Sequence, residues 1–159
     1  MSSVLQAHRA AIVAALASVP GMGVVHNRER YASDNSKFAA LYLYTPVGGK
    51  AQIRGWWVRR VETEERIDVY GPGTSTNVFA WQVRGYMAFS DAEASELVLD
   101  ELVEAFRTVV RDDLSLGGVC EPPPEEETDG VQVLDAGPVM FAGVLCHSVL
   151  LQLKTWSDL

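Results

Sequence analysis

The stretch TNVFAWQVRGYMAFSDAEASELVLDELVEAFRTVV, residues 76–110, holds two hydrophobic periods back to back. In its first part Phe79, Trp81, Val83, Gly85, Met87 and Phe89 alternate with Ala80, Gln82, Arg84 and Tyr86. A period of two puts the first set on one face of a strand and the second on the reverse. From Ser90 the period changes. Val98, Leu102, Ala105, Phe106 and Val109, widened by Leu99 and Val103, recur at helical spacing, with Glu96, Asp100, Glu101, Glu104, Arg107 and Arg111 opposite them. Ser90-Asp91-Ala92-Glu93 has the form of a capping box, which predicts a helix opening there and running to about Val110. A strand with one covered and one wetter face, followed by an amphipathic helix, predicts an α+β fold. The sheet is mainly antiparallel and the helix lies across its covered face.

Upstream, a second long strand is expected over about Ala51 to Asp68. Gly71-Pro72-Gly73 separates it from the first, so the two form a long hairpin. Thr45 to Lys50 is a turn, and Ser33 to Tyr44 suits a helical turn or an extended segment equally well. Gly23 to Arg30 is expected as a short strand. Ser2 or Ser3 caps a first helix running to about Val19, with Leu5, His8, Ile12, Ala15 and Leu16 on one face, stopped by Pro20 and Gly21. Downstream, Leu114 to Cys120 is a short strand candidate, and Glu121 to Gly130, with its prolines and glutamates, is an exposed loop. Val131 to Leu134 starts another strand, Gly137-Pro138 is expected to turn it, and Val139 to Lys154 forms a long final strand. No repeat or linker divides the chain, so residues 1–159 are expected to form a single domain.

The net charge of −8 lacks the basic stripe that a duplex-binding surface uses to neutralise phosphates, and it disfavours anionic membranes. The longest apolar stretch, Val139 to Leu151, contains His147 and Ser148 and is shorter than the ~20 residues a membrane span needs. The first ten residues do not have the form of a signal peptide, which implies synthesis in the cytoplasm. Cys120 and Cys146 stand in no CxxC motif and are expected as buried free thiols.

Motifs that carry chemistry are sparse. Gly48-Gly49-Lys50 is followed by Ala51 where a phosphate-binding loop needs Ser or Thr, and Gly21-Met22-Gly23 follows a helix rather than a strand. His8, His26 and His147 have no metal-ligand spacing. Cys146 and His147 are neighbours on a strand and point to opposite faces, with His147 expected to share its face with Phe141, Leu145, Val149 and Leu151. The expectation is a protein that is not an enzyme and uses no cofactor or metal. Arg54-Gly55-Trp56-Trp57-Val58-Arg59-Arg60 is different in kind. Its two indoles lie on opposite faces of one strand, so one joins the core and the other does not, and exposed Trp with Arg is typical of interface hot spots.

Ile53-Arg54-Gly55-Trp56, Val83-Arg84-Gly85-Tyr86, the segment Ser90 to Glu96 and the segment Gly143 to Leu150 together resemble the tail terminator proteins of long-tailed phages and prophages. The order of elements resembles that family's sheet with helices on one side. The resemblance implies a structural virion protein: a homohexameric ring at the tail–neck region, assembled in the bacterial host cytoplasm. Such a ring caps the tail tube, stops its polymerisation and joins tail to head. Its partners would be further copies of itself, the tail tube protein and the head–tail connector or neck proteins, with DNA passing through the lumen unbound, as the acidic balance permits. On that reading Arg54, Trp56, Arg59 and Arg60 are candidates for the subunit interface. The hairpin tip with Gly71, Pro72, Gly73 and Thr74, and the loop with Glu125, Glu126 and Glu127, are candidates for contact with tube or neck. The alternatives are a neck protein, or a ligand-binding domain whose aromatic pocket is built from Trp56 or Trp57, Trp81 and Phe106.

Overall fold

A computed structural model describes residues 3–67, 75–124 and 129–158. The expected tip residues Gly71 to Thr74 and loop residues Glu125 to Glu127 lie outside these. Ser3 caps α1 (Val4–Ala17), its hydroxyl accepting from the Gln6 N–H. The chain continues through β1 (Val24–His26), α2 (Asn35–Ala40), β2 (Leu43–Tyr44), β3 (Gln52–Ile67) and β4 (Ser75–Ala88). A 3₁₀ turn at Asp91–Glu93 leads into α3 (Ser95–Asp112), followed by β5 (Gln132–Phe141) and β6 (Val144–Asp158). The sheet has six strands in the order β1-β3-β4-β6-β5, with β2 added to β3. Among the described strands only the β1–β3 pair is parallel. This is the mainly antiparallel α+β architecture expected from residues 76–110, with β3 and β4 as its long hairpin.

The main core lies between the sheet and α1 with α3. Trp56, Val58, Phe79, Trp81, Val83, Met87, Val149, Leu151 and Leu153 meet Ile12 and Leu16 from α1, and Leu99, Leu102, Val103, Phe106 and Val110 from α3. A buried aromatic ring removes about 150–250 Å² from water, roughly 4–6 kcal/mol at ~25 cal/mol per Å². Trp56, Trp81 and Phe106 therefore anchor this layer. Gly85 stands opposite Trp56 across the β3–β4 ladder, and a Cβ there would lie 2.4 Å from the indole, so glycine is what lets the ring lie flat on the sheet.

The reverse face also has a core, smaller and at one end. Tyr42, Ile53, Trp57, Phe141 and Cys146 pack with Phe38, Leu41 and Tyr86. Phe141 stacks on Tyr86 at 4.0 Å and meets Tyr42 edge-on at 4.9 Å. The cover comes from the ambiguous segment, which folds as α2, capped by Asp34, then β2. Trp57 thus fills a second core instead of projecting outward.

Five local expectations are corrected. Ser90 makes no side-chain cap; Ala94 takes the left-handed conformation at φ 52° and α3 begins at Ser95. Its buried stripe is Leu99, Leu102, Val103, Phe106 and Val110, with Val98 and Ala105 outside it. Leu114 to Cys120 is a run of turns, with Leu116, Gly117 and Gly118 at positive φ, and only Glu121 bridges to Trp156 on β6. Gly137-Pro138 does not turn the chain: β5 runs straight through it, and the reversal is at Ala142-Gly143, with φ of 51° and 79°. Because the turn falls there, Phe141 joins the reverse face with Cys146, not the face of His147.

Candidate functional site

The four candidate interface residues separate into two buried and two exposed. Trp56 is 1% exposed and donates its indole N–H to the Met22 carbonyl at 2.8 Å, so it is a core residue and not a surface anchor. Arg54 is also buried. Its Nη1 donates to the Gly21 carbonyl at 3.1 Å and its guanidinium lies 5.3 Å from the centre of the Tyr44 ring. Burial lowers its pKa, and its Nε has no partner among the described residues. Arg59 and Arg60 remain at the surface. Arg59 pairs with Glu29 and covers Trp57 at 4.7 Å, and Arg60 donates to Thr63 Oγ1 at 2.8 Å. The aromatic pocket is not formed, since Trp56, Trp81 and Phe106 are packed in the main core.

Two polar clusters are buried. Ser95 Oγ lies 2.7 Å from His147 Nε2 and accepts from the Ser90 N–H at 2.9 Å. Phe89 covers the imidazole at 3.7 Å. A serine beside an imidazole is the pairing a nucleophile uses. Here the hydroxyl already serves the backbone, and the pair ties the first turn of α3 to β6. In the second cluster Thr155 Oγ1 accepts from Trp81 Nε1 at 2.8 Å and lies 2.7 Å from His8 Nδ1. Cys120 and Cys146 are free and buried, and burial pushes both thiols up to about 11, which keeps them protonated and unreactive. Among the described residues no group of three or more His, Cys, Asp or Glu is placed to hold a metal, and no helix is long and apolar enough to cross a membrane.

The surface is more informative than the interior. β1 pairs with Gly55 to Trp57, and among the described residues no strand pairs with that edge of β3 further along. That edge is charged: Arg59, Arg60, Glu62, Glu64, Glu65 and Arg66 are all exposed. Charge on an edge strand discourages pairing with another chain. β5, the opposite edge, is exposed from Gln132 to Met140 and carries a single charge, Asp135. From Ala136 to Leu153 the chain carries no Asp, Glu, Lys or Arg. At its tip Val139, Met140, Val144 and Leu145 are exposed, Met140 by 65%. The register places Met140 with Leu145 and Val139 with Cys146, so the tip shows apolar side chains on both faces.

A second apolar surface lies on α3. Leu97 and Val98, outside the buried stripe, form a shallow trough of about 450 Å³ with Val19, Pro20, Ala94 and Ala105, rimmed by Glu93 and Glu101. The sequence reading missed both surfaces. Leu97-Val98-Leu99 is wider than one helical stripe can bury, and the uncharged run after Asp135 is longer than the covered part of one strand; these were the available signals. Compared with known protein families and with curated proteins, the sequence gives no match.

Proposed function

We propose that the chain is a structural subunit that works by assembling with copies of itself, as a ring of the tail-terminator kind capping a phage tail tube. The observation that carries this reading is the pair of exposed apolar surfaces, the β5–β6 tip and the α3 trough, on a chain of net charge −8. Apolar patches that are contiguous and rimmed by polar groups mark interaction sites. The sixfold form, the tube and neck partners and the place in the virion rest on the resemblance of the sequence segments given above. The negative charge suits a lumen through which DNA must slide, because like charge discourages binding. The charged outer edge of β3 supports the same role, since an assembling sheet needs one edge closed to random pairing. Light scattering of the purified chain over a concentration series tests assembly, and co-sedimentation with isolated tail tubes tests the terminator role. A mass near six subunits with tube binding is expected. A chain that is monomeric at every concentration and ignores tubes would defeat the reading. Assembly with binding to connector particles but not to tubes would move it to the neck.

A further inference from the structure

We infer that the β5–β6 hairpin of one copy seats its apolar tip in the α3 trough of a second copy, making a head-to-tail contact. The inference rests on the assembly reading above and names the surfaces that would carry it.

Charge and ladder chemistry favour this pairing over the symmetric ones. Both surfaces are apolar, and the trough is shallow. Trough against trough would bring Glu93 and Glu101 of both copies together, a like-charge contact. Tip against tip by sheet extension would run along the outer edge of β5. Pro138 stands in the middle of that strand and offers no N–H, which interrupts any new ladder. Tip in trough avoids both problems. The tip belongs to an uncharged run, so it approaches the glutamate rim without like-charge repulsion. A contact between two different patches of one chain propagates: it closes into a ring or continues as a filament, and each copy uses each patch once.

The test uses the full chain with Met140→Asp in the tip or Leu97→Asp in the trough. Both positions are about two-thirds exposed, at 65% and 64%, so unchanged thermal melts are expected. Each variant alone should lose self-association by about thirtyfold or more, because a carboxylate is stranded in an apolar contact. Met140→Lys should lose less, since it brings a cation to the glutamate rim. The decisive sample is an equal mixture of the two Asp variants at the highest attainable concentration. One intact trough then meets one intact tip, and light scattering should show two-subunit particles and nothing larger. Variants that assemble like the unaltered chain, or a mixture that stays monomeric, overturn this pairing while the assembly reading stands. An unaltered chain that never associates overturns both.

Discussion

At the scale of single residues, the adjacent indoles divide the labour of two cores. Trp56 fills the main one, so Trp56→Ala leaves a large cavity and an unpartnered Met22 carbonyl. The expected cost is about 3–5 kcal/mol, a large part of the ~5–15 kcal/mol typical of whole domains, and urea unfolding would show it. His8 gives a second test. Its ring is buried against Phe79, its Nε2 has no partner among the described residues, and burial lowers its pKa. The native state therefore keeps His8 neutral where the unfolded chain takes up a proton. Stability is full above about pH 6.5 and falls as pH drops below it, by at most ~1.4 kcal/mol per pH unit. His8→Leu should flatten the urea midpoint between about pH 6.5 and 5, above the range where carboxylates dominate. An unchanged slope would assign the dependence to other groups. The sequence placed the two indoles on opposite faces correctly. It gave no sign that the reverse face was covered, because the cover is α2 and β2, whose pattern was undecided between helix and strand. Of the four candidate interface residues, Trp56 and Arg54 are buried, and Arg59 and Arg60 are exposed.

At the scale of elements, strongly periodic segments were legible and their ends were not. β3, β4, α1 and the body of α3 lie where periodicity put them. Ser90-Asp91-Ala92-Glu93 looked like a cap, but Ser95 Oγ takes the Ser90 N–H and its pairing with His147 fixes where α3 starts. That contact spans more than fifty residues, beyond the reach of any local motif. Gly137-Pro138 looked like a turn because proline breaks ladders. On an outermost strand its missing N–H costs little, and a strand's place in the sheet is not written in its own residues. The true reversal puts Ala142 at φ 51°, a left-handed conformation that Ala tolerates poorly. Ala142→Asn would create the Asn-Gly pair that two-residue turns of this twist prefer. Stability should rise by about 0.5–1 kcal/mol, read from chemical denaturation, and a loss would show that the turn is held in some other way.

At the scale of the whole molecule, charge and apolar surface oppose each other. If copies meet through the tip and the trough, their net charges resist and salt helps. From about 0.01 M to about 0.1 M salt the Debye length falls from ~30 Å to ~10 Å, and sedimentation should show tighter self-association. Weaker association would place charged groups such as Arg59 and Arg60 at the centre of the contact instead. The sheet order has a further consequence for how the protein is made. β4 pairs with β3 as a local hairpin, but its other neighbour is β6, so that Thr76 lies beside Asp158. On the ribosome, β4 waits with one edge open while α3, the turns after it and β5 are made. At about 5–20 residues per second that wait lasts several seconds, far longer than a hairpin takes to form. The central strand of the finished sheet is thus an open edge in the nascent chain, and that interval is when a chaperone would protect it most.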